Sequence, residues 1–175
     1  MEHKSGGALL VVDMLNDFVL PGAPLEVPLA RDIIPVVRTR IERARQEGIP
    51  VIYLCDAHAE DDREFKIWPR HAVGGTEGSR VIRELAPGRG DIVLAKTTYS
   101  AFYKTQLEDT LKRMKIERLT IVGIVTNICI FFTAADAVMR GYDVEVPRDG
   151  VAALSPDENE FALDQMADVL KVRLT

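Results

Sequence analysis

Five short apolar runs recur along the chain, and segments with helical periodicity separate them. The runs are ALLVVD (8–13), IPVIYLCD (49–56), DIVLAK (91–96), LTIVGIV (119–125) and DVEVP (143–147). Each run is almost continuously apolar, which is typical of parallel strands covered on both faces. Helical patterns occupy about 31–47, 78–86, 102–115, 128–140 and the segment after Ser155, where S-P-D-E predicts an N-cap. We therefore predict one domain over 1–175, an α/β doubly wound and mainly parallel sheet with helices on both faces.

Composition and charge exclude several classes of protein. The 175 residues carry a net charge of -5 without a basic block, so we expect no nucleic-acid partner. No apolar run approaches the roughly 20 residues that a membrane span requires. The N-terminal stretch MEHKSGGALLVVD lacks the pattern of a signal peptide. Two cysteines make no disulfide framework, and we expect a cytoplasmic protein with a small-molecule substrate.

Reactive side chains stand where the predicted strands end. Asp13, Asp56 and Lys96 close the first three strands, and Cys129 follows the fourth. In doubly wound sheets this edge holds the site. A carboxylate can take the proton of a thiol, and a lysine can hold that carboxylate ionised, so these residue types fit nucleophilic catalysis. The alternatives are that Cys129 is a small buried core residue, that Asp13 caps the end of its strand and that Lys96 is solvated.

Aromatic residues concentrate in the segments that follow the same strand ends. They are Phe18, Phe65, Trp68, Tyr99, Phe102, Tyr103, Phe131 and Phe132. This clustering favours a pocket for a flat ring, although aromatic side chains also pack helices against sheets.

A second cluster lies in the segment DAHAEDDREFKIWPRH. Asp56 and His58 are two residues apart in extended backbone and so share a face, and His71 follows after an acidic loop. One carboxylate and two imidazoles suit Zn²⁺, Mn²⁺ or Fe²⁺. The alternative is that both histidines make ordinary hydrogen bonds in a loop.

Three stretches resemble the isochorismatase-like cysteine hydrolases in order along the chain: VVDMLNDF, LAKTTYSAFYKTQLEDTL and GIVTNICIFFTAADAVMRGYDVEV. The resemblance implies a six-stranded parallel sheet and a catalytic triad of Asp13, Lys96 and Cys129. It also implies a cis peptide bond between Ile124 and Val125. The Val125 and Cys129 N–H groups would then form the oxyanion hole.

The stretch DAH…WPRHAVGGTEG is similar to the metal-binding segment of the nicotinamidases in that family. The similarity implies Asp56, His58 and His71 as metal ligands, with Glu64 as a further carboxylate ligand. Zn²⁺ is the expected metal, with Mn²⁺ or Fe²⁺ as alternatives. It further implies that Phe18 and Trp68 sandwich a pyridine ring. Ala72 departs from the cysteine common at that position.

These features together predict an amidohydrolase of nicotinamide or a similar heteroaromatic carboxamide, acting in pyridine-nucleotide metabolism through a cysteine thioester. The family also implies a homo-oligomer, either a dimer or a tetramer. Three alternatives stay open at this point. They are a metal-independent family hydrolase of another amide, carbamoyl or vinyl-ether substrate, a metallohydrolase in which Cys129 is core, and a flavodoxin-like binding domain.

Overall fold

A seven-stranded sheet forms the centre of the computed structural model, which describes residues 6–175. The strands are β1 Gly6–Val12, β2 Val51–Asp56, β3 Ile92–Lys96, β4 Ile116–Ile124, β5 Asp143–Val146, β6 Val151–Ala152 and β7 Arg173–Leu174. Their order is β3-β2-β1-β4-β5-β7, with β6 beside β4, and the paired strands all run parallel. The first five residues of the predicted 1–175 domain lie outside the described part of the chain.

The five predicted strands are confirmed, with ends that shift by up to three residues. The described sheet has seven strands rather than the six that the resemblance implies. The two strands that correspond to none of the five apolar runs, β6 and β7, contain two residues each. So short a strand produces no apolar run of its own, and it becomes visible only through its pairing with β4 or β5.

Helices cover both faces of the sheet. They are α1 Asn16–Val19, α2 Ile34–Gln46, α3 Leu107–Arg113, α4 Phe131–Met139 and α5 Pro156–Asp168. The predicted cap of α5 is confirmed, because the Ser155 side chain accepts a hydrogen bond from the Glu158 N–H. None of the helices in residues 6–175 has the length and apolar character needed to cross a membrane.

The predicted helix over 78–86 is wrong. Only a 3₁₀ turn, Arg83–Leu85, forms there. The preceding residues are extended, since Val81 makes an antiparallel bridge with Leu15 and the Ile82 N–H donates to the Met14 carbonyl. Pairing with the loop after β1 therefore satisfies backbone groups that a helix would otherwise bond internally.

Alternate residues of β1 point into two separate cores. Ala8, Leu10 and Val12 belong to the core under α3, α4 and α5. Leu9 and Val11 belong to the core under α1 and α2. This alternation explains why the predicted strands are continuously apolar. The chain reverses its direction of winding between β1 and β4, so a crevice opens at the carboxyl ends of these strands.

Gly123 in β4 is required by a close approach to β1. Its φ is +116°, and a Cβ there would lie 2.1 Å from the Val12 carbonyl oxygen. We expect Gly123→Ala to lower the free energy of unfolding by about 3 kcal/mol or more, because backbone strain and overpacking add. Urea unfolding measures the loss. Gly141→Ala is the matched control, since Gly141 has a φ of +86° and open space at its Cβ position. Equal losses in the two variants would contradict the role of the contact.

Candidate active site

The carboxyl ends of four strands carry the reactive groups. Asp13 follows β1 in the left-handed region, with a φ of +51°. Asp56 ends β2 and Lys96 ends β3. Cys129 lies in a π-helical turn, Thr126–Ile130, that connects β4 to α4. The structure thus brings the predicted residues to one edge of the sheet, and all four side chains are buried.

The Lys96 ammonium lies at the centre of this group. Its Nζ is 2.7 Å from Asp13 Oδ2, 2.6 Å from Asp56 Oδ1 and 3.5 Å from Cys129 Sγ. It also donates to the Thr98 carbonyl at 3.1 Å. Burial lowers the pKa of Lys96, but the two carboxylates outweigh burial and raise this pKa well above its ordinary value. Lys96 therefore stays positively charged. Because its side chain is buried, the alternative of a solvated lysine is excluded.

Asp13 is suited to accept a proton near neutral pH. Burial and the Asp56 charge raise its pKa, whereas Lys96 lowers it, and the result is about 6. The Cys129 side chain also lowers the pKa of Asp13, and Asp13 Oδ1 accepts a hydrogen bond from the Asp56 N–H at 2.9 Å. These contacts fix the carboxylate beside the sulfur.

The Cys129 thiol is neutral at rest. Burial raises its pKa well above the ordinary value, and this outweighs the lowering by Lys96. A neighbouring lysine and the start of a helix ordinarily stabilise a thiolate. The structure instead favours a protonated thiol, because burial and the two carboxylates nearby disfavour a further anion.

The predicted metal ligands also converge. Atoms of Asp56, His58 and His71 that can bind a metal lie within 4.8 Å of one another, and the three residues are buried. His58 Nδ1 is 3.1 Å from Asp62 Oδ2, and His71 Nδ1 is 2.6 Å from the Pro69 carbonyl oxygen. Because both partners accept hydrogen bonds, each Nδ1 carries a proton, so in the neutral ring the lone pair is on Nε2.

Electrostatics around this cluster favour a cation. Burial lowers the pKa of His58, but the neighbouring Asp56 and Asp62 carboxylates outweigh it and raise the pKa to about 9. Burial raises the pKa of Asp56, yet Lys96 and His58 hold it below its usual range. Glu64 Oε1 lies 3.9 Å from His71 Nε2, so the fourth predicted ligand stands beside the cluster. The site therefore attracts positive charge at His58, where a metal would compete with a proton.

The residues predicted to be catalytic and those predicted to bind a metal converge on one cavity of about 220 Å³. The predicted site residues that line it are Asp13, Phe18, Asp56, Glu64, Trp68, His71, Val125 and Cys129. Lys96 and His58 lie behind this surface. The cis peptide bond between Ile124 and Val125 is confirmed.

Two residues near this cavity were not recognised as site residues from the sequence. Tyr99 lines the cavity, and its hydroxyl accepts a hydrogen bond from Trp68 Nε1 at 3.1 Å. Its place among the aromatic residues after β3 was the available signal. Asp62 contacts His58, but it stands in an acidic loop whose members look alike in the sequence. Only the fold distinguishes it from its neighbours.

Comparison with known proteins gives a consistent result. The sequence profile of the isochorismatase domain matches residues 7–175. The chain is 35% identical to the isochorismatase family protein YaaI of Bacillus subtilis over 98% of the chain and 94% of that protein. It is 30% identical to a nicotinamidase of Escherichia coli over 91% of the chain and 90% of that protein.

Solved structures are similar over 97% of this chain. N-carbamoylsarcosine amidase from Thermoplasma acidophilum is 38% identical, with a TM-score of 0.89 over 95% of its chain. Pyrazinamidase/nicotinamidase from Streptococcus mutans is 29% identical, with a TM-score of 0.93 over 100% of its chain. Pyrazinamidase of Pyrococcus horikoshii, solved in complex with zinc, is 31% identical, with a TM-score of 0.91 over 98% of its chain.

Proposed function

Because the chain belongs to the isochorismatase family, we propose that it is an amidohydrolase that converts nicotinamide, or a similar small heteroaromatic carboxamide, to the acid and ammonia. One observation carries the proposal. A buried thiol–carboxylate–ammonium group and a carboxylate–bis-histidine cluster face the same cavity of about 220 Å³. Binding proteins of flavodoxin type need no such nucleophile, so this arrangement favours an enzyme.

Cys129 is the proposed nucleophile. As its sulfur bonds to the carboxamide carbon, Asp13 takes the thiol proton. When the carbon–nitrogen bond breaks, Asp13 returns that proton to the departing ammonia and a thioester remains. Asp13 then takes a proton from water, whose oxygen attacks the thioester, and finally returns the proton to the sulfur. Lys96 holds Asp13 in position at 2.7 Å throughout.

The oxyanion formed in each attack needs hydrogen-bond donors. We assign this role to the backbone N–H groups of Val125, which precedes the turn Thr126–Ile130, and of Cys129, which lies in that turn; both residues line the cavity. Donors fixed in a buried turn stabilise developing charge without reorganisation.

The donor set fits a divalent metal. His58 Nε2 is buried without a hydrogen-bond partner, which is costly unless the lone pair has a ligand. Asp56, His58 and His71 would hold Zn²⁺, with Glu64 as a further carboxylate and Mn²⁺ or Fe²⁺ as alternatives. A bound metal would supply a Lewis acid for the ring nitrogen of the substrate. The pyrazinamidase solved with zinc supports this choice of metal.

Aromatic side chains of the cavity support a ring-shaped substrate. Phe18 and Trp68 both line it, and the Tyr99 hydroxyl fixes the Trp68 indole. We propose that Phe18 and Trp68 hold the two faces of the ring. Carbamoyl compounds are the second candidate class, because the structural neighbour named N-carbamoylsarcosine amidase has a higher identity, 38%, than the nicotinamidases.

Ammonia release from a panel of amides tests the proposal. Purified protein supplied with zinc is expected to turn over nicotinamide in preference to N-carbamoylsarcosine, and chelation is expected to remove that activity. Turnover of the carbamoyl compound alone, unaffected by chelation, would favour the metal-independent alternative. Turnover that survives thiol alkylation would favour a metallohydrolase in which Cys129 is core.

Activity is expected to depend on the ionisation of Asp13. Since Asp13 must be ionised to accept the thiol proton and its pKa is about 6, kcat/KM should rise with pH through about 6 and fall at lower pH. The measurement is a pH profile for nicotinamide, with the zinc content determined at each pH as control. A profile that stays flat down to pH 4.5, with zinc retained, would contradict the assignment of Asp13 as the base.

The compartment and the assembly remain predictions. A cytoplasmic location agrees with two free cysteines, both buried. The dimer or tetramer that the family resemblance implies is testable by light scattering of the purified protein.

A further inference from the structure

Asp62 makes two hydrogen bonds that link separate parts of the metal cluster. Its Oδ2 lies 3.1 Å from His58 Nδ1, and its Oδ1 accepts a hydrogen bond from the Glu64 N–H at 2.9 Å. The second bond caps the 3₁₀ turn Arg63–Lys66, which carries Glu64. The Asp62 side chain is only 17% exposed. One carboxylate thus contacts two of the four residues assigned to the metal.

The bond to His58 determines which ring nitrogen is protonated. An ionised carboxylate only accepts hydrogen bonds, so the proton must be on Nδ1. In the neutral ring His58 Nε2 then presents a lone pair, and this atom is buried without a hydrogen-bond partner, 3.6 Å from Asp56 Oδ2. His71 reaches the same tautomer through the Pro69 carbonyl. A side chain therefore controls the tautomer of one histidine, whereas the backbone controls that of the other.

We propose that Asp62 is a positioning residue of the metal site, which holds His58 in the tautomer that can bind zinc and fixes the turn that presents Glu64. This inference rests on the metal site of the proposed function. Metal-binding histidines generally donate their second N–H to a carboxylate or carbonyl, and loss of that partner weakens metal affinity about 10–100-fold.

Asp62→Asn distinguishes the positioning of His58 from the capping of the Arg63–Lys66 turn. The Glu64 N–H requires an acceptor, so the asparagine amide oxygen keeps the cap and its NH₂ group faces His58 Nδ1. An NH₂ donor there favours the opposite tautomer, with the proton on Nε2. Asp62→Ser keeps a capping oxygen but is too short to reach the ring. The two variants therefore differ at His58 while both retain the turn.

Zinc affinity and histidine tautomers provide the test. Competition with a chromogenic chelator is expected to show about a 10–100-fold weaker affinity for Asp62→Asn than for the wild type, and a smaller loss for Asp62→Ser. Nitrogen-15 NMR of the metal-free protein, at a pH high enough for the ring to be neutral, is expected to place the single proton of His58 on Nδ1 in the wild type and on Nε2 in Asp62→Asn. Asp61→Asn is the matched control, because Asp61 is an exposed neighbour with the same charge.

Two results would overturn the inference while the metal site stands. One is equal zinc affinity of the wild type and Asp62→Asn, and the other is a neutral His58 ring in the metal-free wild type whose single proton is on Nε2. A wild type that binds no zinc would overturn the metal site itself, and the inference with it. Affinity thus distinguishes a failure of the positioning role from a failure of the proposed function.

Discussion

Cys129→Ala is expected to lower amide turnover by at least about 10⁴-fold, because no other group in the cavity can form the thioester. The side chain is buried, so the substitution removes one sulfur and leaves the turn in place. Steady-state ammonia release measures the loss, and binding of the unreacted amide should persist. Turnover within tenfold of the wild type would indicate that Cys129 is a buried core residue and not the nucleophile.

Cys55→Ala is the matched control for this prediction. Cys55 lies on β2, next to Asp56 in the chain, but its side chain packs in the core under α1 and α2. Burial raises the pKa of its thiol to about 12. We expect this variant to keep its activity, which shows that the loss in Cys129→Ala does not follow from removal of a buried sulfur in general.

Lys96→Met is expected to destabilise the fold and abolish activity together. Two buried carboxylates, Asp13 and Asp56, lose the ammonium that lies within 2.7 Å of each. Removing one partner of a buried ion pair typically costs about 3–5 kcal/mol, since the remaining charge is left uncompensated. Thermal and urea unfolding of the metal-free proteins measure the change.

The pH dependence of this loss distinguishes an electrostatic cause from lost packing. Without Lys96, the pKa values of Asp13 and Asp56 in the folded state rise above those of the unfolded chain. Stability of the variant should therefore fall as pH rises from about 4 through these raised values, and the gap to the wild type should narrow at acid pH. A gap that is the same at every pH would indicate packing alone.

Lys112→Met is the control for the loss of a lysine charge. Lys112 forms a surface ion pair with Glu108 at 2.7 Å, and the two residues are four positions apart on α3. Exposed pairs of this kind contribute little because water and salt screen them. We expect no measurable change in unfolding and full activity.

Much of the fold could be predicted because parallel strands buried on both faces appear in the sequence as continuous apolar runs. Leu9 and Leu10 enter different cores, so the apolar run of β1 is continuous. The failures have physical causes of another kind. Val81 pairs with Leu15, a partner distant in the chain, and this contact overrides the helical pattern around 78–86. The two-residue strands β6 and β7 likewise depend on tertiary pairing.

The sequence predicts which residues make up the candidate site, but it does not predict how their charges interact. Strand ends locate Asp13, Lys96 and Cys129, since parallel strands end at one edge. Spacing could not show that Lys96 also contacts Asp56 and so joins the catalytic and metal groups. Nor could it show that the thiol is neutral, because that state depends on burial and on both carboxylates.

Trapping of the acyl-enzyme tests the central claim most directly. Purified protein with zinc and nicotinamide is incubated with increasing hydroxylamine, and the hydroxamate and nicotinate products are quantified. A thioester on Cys129 predicts that hydroxamate forms at the expense of nicotinate, and that Cys129→Ala yields neither product. Nicotinate alone at every hydroxylamine concentration, with ammonia still released, would contradict the account.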